Sequence, residues 1–270
     1  MCVSSDVAEF SGTTLYGGRC RHPEHGRIEV LGYQNTAENL AVGPNAMLVH
    51  LATSGMRREQ FIPVGRHDDV LERMARATYP VAAAAGMAWM DADEVTVFEH
   101  DIYTVVLAEN PLRVSDALSQ VAPHKRPTVK PELLEFYADS FPGRSIALCC
   151  FDNAEAHRAK PLLMWYRPAD PDRIVLPALD CHTGGVPDLD TSVLSDHYLV
   201  FGTDDAEDWG QPVRYEDGMR HKLRAFLPDR VVGIRVDAGE PLPNGDFAID
   251  YDDLLRDDLD RITRIKPEVH

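Results

Sequence analysis

The sequence lacks the patterns that identify the commonest nucleotide-binding and membrane proteins. No apolar run approaches the roughly 20 residues that span a bilayer, and neither Gly17-Gly18 nor Gly184-Gly185 belongs to a GxGxxG or Walker pattern. None of the five cysteines forms Cys-x-x-Cys, the spacing of many zinc and redox sites. We therefore expect no membrane partner, no nucleotide and no other cofactor.

Basic residues are also scarce. Only 27 Lys and Arg oppose 44 Asp and Glu, so the formal net charge is −17 at pH 7. Such an acidic surface repels phosphate backbones, and we expect no nucleic-acid partner. The first residues show neither the basic nor the apolar region of a signal peptide. These features favour the cytoplasm, where the cysteines stay reduced.

The composition is that of an ordinary globular protein. Of the 270 residues, 44% are hydrophobic and 26% are charged, which is typical of soluble domains. This length accommodates one large domain or two small ones. The chain has no internal repeat, and its 19 prolines are spread evenly, so that no linker stands out. We therefore predict a single domain over residues 1–270.

Strand patterns dominate the first part of the chain. Residues 27–33 alternate polar and apolar side chains, as a half-buried strand does. Residues 45–51 form a more continuous apolar run, which is typical of a central strand. The first helix is predicted over residues 68–78, because its apolar side chains recur on one face. Pro80 ends this helix.

Further elements follow from the same rules. Apolar runs rich in β-branched and aromatic residues predict strands over residues 94–108, 145–151, 161–166, 193–201, 230–236 and 246–251. Helical periodicity predicts helices over residues 111–121, 131–141, 217–227 and 252–265. The predicted fold class is therefore α+β, with a largely antiparallel sheet and helices packed mainly on one side.

One turn carries the densest set of reactive side chains. Asp180, Cys181 and His182 are consecutive and precede Gly184-Gly185. An acid beside an imidazole suits general acid–base catalysis, so we predict that Asp180 and His182 are catalytic. If the segment is extended, its side chains alternate and the three cannot serve one site. The alternative is a plain turn that Asp180 and Thr183 cap through side-chain hydrogen bonds.

The same region contains the side chains that a zinc site would need. One of Cys149 and Cys150, together with His197 and either Cys181 or His182, would supply three ligands. Neighbouring strand residues point to opposite faces, so only one of the first two cysteines can reach such a site. The spacing matches no zinc motif, and buried cysteines on apolar strands are usually core residues. We predict that no metal is bound.

Three polar side chains are the predicted substrate-binding residues. Asn35 and Asn45 lie next to strand patterns, and His197 lies on the strand that follows the reactive turn. Amide groups beside strands can hold a polar ligand or stabilise an oxyanion. The alternative use of the two asparagines is to form Asx turns.

Cys2 is the sharpest candidate nucleophile. We expect that Met1 is removed, which leaves Cys2 with a free α-amino group. The ordinary pKa of such a group is about 8, so it can act as the base that accepts the proton of the Cys2 thiol. The following residues, with Arg19 after Gly17-Gly18, resemble the start of the cysteine N-terminal-nucleophile acylases that act on bile salts and penicillin V. This resemblance implies that Cys2 and Arg19 are catalytic. Those acylases carry an acid after the arginine, whereas Cys20 follows here. The alternative is an ordinary N-terminal thiol.

The order of several segments resembles a bacterial family of unknown function whose members carry a mature N-terminal cysteine. Cys2, Tyr33 and the segments at 45–51, 102–105 and 133–137 occur here in the order of that family. This chain lacks the family's secretion signal and proline-rich strand end. The resemblance implies one continuous domain and draws attention to the N-terminal cysteine, and the family has no established activity.

Three functions are compatible with these features. The first is a cysteine-dependent amide hydrolase or acyl transferase with Cys2 as its nucleophile. The second is a non-catalytic ligand-binding or assembly protein, which the lack of any complete motif favours. The third is a metalloprotein built on the central strands. For the first two, the expected partner is a small-molecule or peptide ligand.

Overall fold

The structure is a computed structural model that describes residues 3–78, 96–152, 160–206, 208–219, 221–236 and 239–267. The strands in these ranges are β1 Val3–Ser4, β2 Ala8–His22, β3 Gly26–Asn39, β4 Asn45–His50, β5 Phe61–Ile62, β6 Thr96–His100, β7 Tyr103–Ala108, β8 Ile146–Phe151, β9 Leu162–Tyr166, β10 Arg173–Leu176, β11 Ser192–Leu194, β12 His197–Thr203, β13 Gln211–Pro212, β14 Arg230–Val236, β15 Pro241–Pro243, β16 Asp246–Asp250 and β17 Thr263–Ile265. The α-helices are α1 Val70–Thr78, α2 Val114–Ala117, α3 Pro131–Ser140, α4 His221–Arg224 and α5 Tyr251–Leu255. None of these described helices is both long enough and apolar enough to cross a membrane.

Two sheets contain most of the strands. One has seven strands in the spatial order β13-β14-β12-β2-β3-β9-β5, and the other has five in the order β1-β4-β8-β7-β6. Among the described strands, β2 and β12 pair in parallel and the other pairs in these sheets are antiparallel. Two smaller sheets have the orders β10-β16-β17 and β11-β15. The fold class is α+β with largely antiparallel sheets, as predicted.

The two large sheets pack face to face around the main core. Successive strand residues point to opposite faces, so alternate side chains meet between the sheets. Leu15 and Leu31 of the seven-stranded sheet share this core with Val105 and Cys149 of the five-stranded sheet. Cys150 points the other way, into a second core. The prediction that the two neighbouring cysteines face opposite sides is confirmed.

Helices cover the outer face of each large sheet. α1 buries Val70, Leu71 and Met74 completely against the seven-stranded sheet. α3 buries Leu133 and Tyr137 in the core on the outer face of the five-stranded sheet. Each such side chain contributes about 1.5–3 kcal/mol when it is removed from water. The layer order is helix, sheet, sheet, helix, so the predicted packing of helices mainly on one side is not confirmed.

Several predicted elements are present with different bounds. α1 and α3 lie within their predicted ranges. In the region predicted as one strand, 94–108, the described residues form the hairpin of β6 and β7, which turns at Asp101 with a positive φ of 57°. Residues 111–120 are helical as predicted, with α2 between two short 3₁₀ turns. The described residues of the helix predicted over 217–227 contain only the four-residue helix α4. Short segments of this kind carry too few apolar positions to define a helix length from periodicity.

The helix predicted over residues 252–265 is wrong. α5 ends at Leu255, and Asp257 adopts a positive φ of 58°, in the left-handed region where a right-handed helix cannot continue. Residues 263–265 then pair with β16 as a strand. β-branched Thr263 and Ile265 suit this extended pairing, which depends on a strand that the local sequence does not contain.

Candidate functional site

The 180–185 turn lies along the start of the described chain. The Ser4 N–H donates to the Cys181 carbonyl at 2.9 Å, and Val3 forms a parallel bridge with Cys181. Val3 is fully buried. The first described residues are therefore held beside the predicted catalytic turn. Cys2, the predicted nucleophile, lies outside the described residues.

Asn244 and Gly184 determine the shape of this turn. Asn244 Oδ1 accepts from the Asp180 N–H at 2.9 Å, and its Nδ2 donates to the carbonyls of Asp180 and Asp188 at 2.9 and 3.0 Å. Gly184 has a φ of 68°, and a Cβ atom at this position would collide with the Ser5 carbonyl. Glycine alone fits there without displacement of residues 5 and 6, which follow β1.

Asp180 and His182 meet in space. His182 Nε2 lies 2.8 Å from Asp180 Oδ1, and the two side chains are 25% and 16% exposed. The contact is not aligned as a hydrogen bond, and neither atom has another hydrogen-bond partner among the described residues. The Phe10 ring meets the imidazole edge-on, with 5.0 Å between centroids. The pair is thus partly accessible, and its acid–base role remains a prediction.

Cys181 faces away from this pair. Its Sγ donates to the Gly185 carbonyl at 3.3 Å and lies 3.4 Å from Thr183 Oγ1. The side chain packs against the core on the outer face of the five-stranded sheet. The extended backbone therefore separates the thiol from the acid and the imidazole, as alternation requires.

His197 is a core residue on β12. It is 1% exposed, and its ring lies 5.8 Å from the Phe247 ring between centroids. Burial, with a smaller effect of the Arg264 charge, lowers the pKa of His197 to about 2. The imidazole is therefore neutral at physiological pH.

Arg19 is enclosed within the fold. Its Nε lies 3.1 Å from Glu29 Oε2, and both side chains are almost fully buried. The remaining donors reach three backbone carbonyls between residues 170 and 173, and the guanidinium lies 4.5 Å from the Tyr251 ring centroid. Burial raises the pKa of Glu29 to about 7, although Arg19 opposes this shift. These contacts engage Arg19 inside the protein.

The two predicted asparagines are also buried. Asn45 Oδ1 accepts from Ser5 Oγ at 2.8 Å and from the Asp6 N–H at 3.0 Å, so it anchors the segment after β1. Asn35 Nδ2 donates to the Tyr33 hydroxyl at 3.1 Å. Within the described ranges, Asn35 Oδ1 has no hydrogen-bond partner. Neither residue forms the simple Asx turn that was the alternative.

One buried polar pair was not recognised in the sequence. His50 Nε2 lies 2.7 Å from Asp246 Oδ2, and both residues are 2% exposed. The Ala178 N–H donates to Asp246 Oδ1 at 2.9 Å, and the His50 ring stacks on Phe141. Burial alone would raise the pKa of Asp246, but His50, the Ala178 N–H and the charge of Arg144 hold it below its ordinary value. The one sequence signal was a histidine at the end of an apolar strand.

The hypothesised zinc ligands do not converge. Across the part of the chain that the structure describes, no three His, Cys, Asp or Glu side chains form a cluster that would hold a metal ion. Cys149 and Cys150 point into different cores, and burial raises the pKa of the Cys150 thiol. Nothing in this arrangement supports the metalloprotein hypothesis.

Comparisons with known proteins find distant structural similarity. No protein-family model matches the chain, and no curated protein matches it. The crystal structure of baculovirus P35 is similar at 10% identity and a TM-score of 0.46, covering 98% of this chain and 94% of that one. A mutated P35 after caspase cleavage has 12% identity and a TM-score of 0.42, with coverages of 71% and 66%. The caspase-8/P35 complex has 10% identity and a TM-score of 0.42, with coverages of 95% and 91%.

Replacement of Arg19 tests its structural role. We expect Arg19→Leu to lower the free energy of unfolding by about 3–5 kcal/mol, because Glu29 would stay buried without its partner. Urea denaturation measures the change. Arg21→Leu is the control, since its side chain is 68% exposed and a surface ion pair contributes about 1 kcal/mol or less. Equally small decreases in the free energy of unfolding of both variants would contradict the structural role of Arg19.

The His50–Asp246 pair predicts a pH-dependent stability. The pKa of Asp246 is below the ordinary value of 3.8 in the folded protein. Its ionised form therefore stabilises the fold above that value, and this contribution is lost as the pH falls through the lowered pKa. We expect Asp246→Asn to cost about 3 kcal/mol or more at pH 7 and progressively less below about pH 4. Urea denaturation at several pH values gives the free energy of unfolding of the unmodified chain and of the variant. A difference between the two that stays constant with pH would contradict the prediction.

Proposed function

We propose that this chain is a non-catalytic binding protein that captures an extended peptide segment. The internal contacts of several side chains predicted for catalysis or substrate binding support this class. Arg19 is engaged by Glu29 and backbone carbonyls, His197 is neutral and buried, and Asn45 anchors the start of the chain. Burial also raises the pKa of Cys20 to about 12, and a protonated thiol is a poor nucleophile.

The observation that carries the proposal is a strand edge on β3. β9 pairs with β3 only as far as Tyr33, and no other described strand pairs with residues 34–38 on that edge. On the opposite edge, residues 36–39 pair with residues 8–11 of β2. These residues form a two-stranded ribbon that extends past β12, whose pairing with β2 begins at Thr13. An unpaired edge can accept a further strand through main-chain hydrogen bonds.

Two carboxylates give this ribbon a local negative charge. Glu9 and Glu38 are exposed and lie directly opposite each other on the paired strands. Like charges at such positions destabilise a strand pair. Among the described residues, no basic side chain forms an ion pair with either carboxylate. A basic side chain from a partner would relieve this repulsion.

Apolar side chains are exposed at the same end of the ribbon. Leu40 and Val7 are about half exposed, and Val42 is fully exposed. The Leu40 N–H donates to the Val7 carbonyl at 3.2 Å, which places these two residues together. The chemistry that fits is an extended segment in which basic residues alternate with apolar ones, because alternate side chains of a strand face opposite ways.

A synthetic peptide tests this proposal with the intact chain. We expect an alternating Lys-Val decapeptide to bind at least tenfold more tightly than its Glu-Val counterpart, as measured by fluorescence anisotropy. Glu38→Lys should weaken binding about tenfold, which corresponds to about 1.4 kcal/mol, because it replaces attraction by repulsion. Caspase-8, the partner in one P35 structure, is tested in parallel as a protein ligand.

The matched control is Glu135→Lys, an exposed charge reversal on α3. Glu38→Lys should fold normally, since it removes the repulsion from Glu9. If both variants weaken the Lys-Val peptide equally, the attraction comes from net charge and not from the ribbon. If the Lys-Val and Glu-Val peptides bind alike, the proposed partner chemistry is wrong.

A cysteine-dependent amide hydrolase or acyl transferase is a second candidate. One observation favours it. The hydrogen bond from the Ser4 N–H to the Cys181 carbonyl holds the start of the described chain beside Asp180 and His182. In this mechanism the processed Cys2 thiol would attack the amide carbonyl while its own α-amino group accepts the thiol proton. That proton would pass to the leaving amine as the C–N bond breaks, and water or an acceptor amine would then cleave the thioester and free the thiol.

Intact-mass analysis and an amidase assay test this second candidate. Loss of Met1 is required, because only then does Cys2 carry a free amine. With penicillin V as substrate, release of the side-chain acid should be abolished in Cys2→Ser and unchanged in Cys181→Ser. Retention of Met1, or equal rates in the two variants, would exclude the mechanism.

A further inference from the structure

A wide cavity is lined by none of the residues of the ribbon or of the 180–185 turn. It encloses about 740 Å³, within the range of small-molecule sites, about 300–1,000 Å³. Its lining includes the end of α3 and the residues after it, together with residues of β10 and the end of β17. Phe141, Val175 and Ile265 give the cavity an apolar part.

The acidic side chains at the cavity are largely satisfied. Glu29 bonds to Arg19 through one oxygen and accepts from the Tyr166 hydroxyl at 3.0 Å through the other. Asp246 is satisfied in the same way by His50 and a backbone N–H. Asp170 is exposed and accepts from the backbone N–H two residues later.

Arg144 differs from the other cations at the cavity. Arg173 pairs with Asp250 and Lys266 pairs with Asp190, both at 2.8 Å. Within the described ranges, no carboxylate lies within ion-pair distance of Arg144, whose guanidinium lies 5.5 Å from the Phe141 ring centroid. Arg144 is half-buried at the cavity wall. Its five N–H groups form a planar fork that matches an oxyanion.

Ser140 provides an independent indication of a ligand. It lines the same cavity and is only 4% exposed. Its hydroxyl has no hydrogen-bond partner among the described residues. A buried hydroxyl without a partner costs free energy. Rotation of the Ser140 side chain toward the cavity would let an acceptor there remove that cost.

We propose that this cavity binds a small organic carboxylate, with Arg144 and Ser140 donating hydrogen bonds to the carboxylate and the apolar wall contacting the rest of the ligand. Arg144 supplies the charge and the fork geometry, and Ser140 supplies a neutral donor. The apolar wall favours a ligand with a hydrocarbon body over inorganic phosphate. This site is separate from the proposed peptide-binding ribbon, and each can fail without the other.

Calorimetry with the intact chain tests the site. The probes are 4-phenylbutyrate, its uncharged amide and inorganic phosphate. We expect 4-phenylbutyrate to bind saturably and at least tenfold more tightly than either of the other two. Arg144→Gln should weaken its binding at least tenfold, because charge-assisted hydrogen bonds are the strong ones. Ser140→Ala should weaken it about threefold to tenfold.

Two comparisons separate a binding role from a structural one. Ser140→Ala should leave the melting temperature unchanged or raise it slightly without ligand, since the hydroxyl has no partner to lose. Arg113→Gln, which breaks an exposed ion pair with Asp116, should bind 4-phenylbutyrate as the unmodified chain does. The proposal is overturned if 4-phenylbutyrate does not bind saturably, if acid and amide bind alike, or if Arg144→Gln binds as well as the unmodified chain.

Discussion

The ion pair between Arg19 and Glu29 connects the centre of the seven-stranded sheet to the rest of the protein. The two residues lie directly opposite each other on β2 and β3, and both are buried. The guanidinium also reaches the carbonyls of the segment that leads into β10. Buried charges are costly unless they are paired and hydrogen-bonded. The segment that leads into β10 must therefore pack against Arg19, because its carbonyls accept the hydrogen bonds of the guanidinium. The cavity beside Glu29 is one consequence of that packing.

β3 also connects the two proposed sites. Glu29 lies at the cavity, and residues 36–38 belong to the ribbon. At roughly 3.3 Å per residue, the sites are about 25 Å apart along one strand, so they use different side chains. Their charges differ as well. The ribbon carries unpaired carboxylates, as expected from the acidic composition. The cavity instead contains Arg144, which forms no ion pair with any described acidic residue.

Patterns with a strict period were the most informative part of the sequence. The apolar stripe of α1 and the alternation of Cys149 and Cys150 depend only on local backbone geometry, and both are confirmed. The helix predicted over 252–265 was wrong because its final residues pair with β16. Short apolar segments are compatible with either structure, and the neighbouring strand decides between them.

The sequence by itself determined the charge of the protein, its α+β class with largely antiparallel strands, and the opposite directions of consecutive side chains in the 180–182 turn. Only the tertiary structure decided which polar groups are engaged internally. His50 and Asp246 are 196 positions apart in the chain, and Arg19 contacts carbonyls about 150 positions away. Whether a polar side chain is available to a ligand depends on what surrounds it, and burial brings together partners that no local pattern relates.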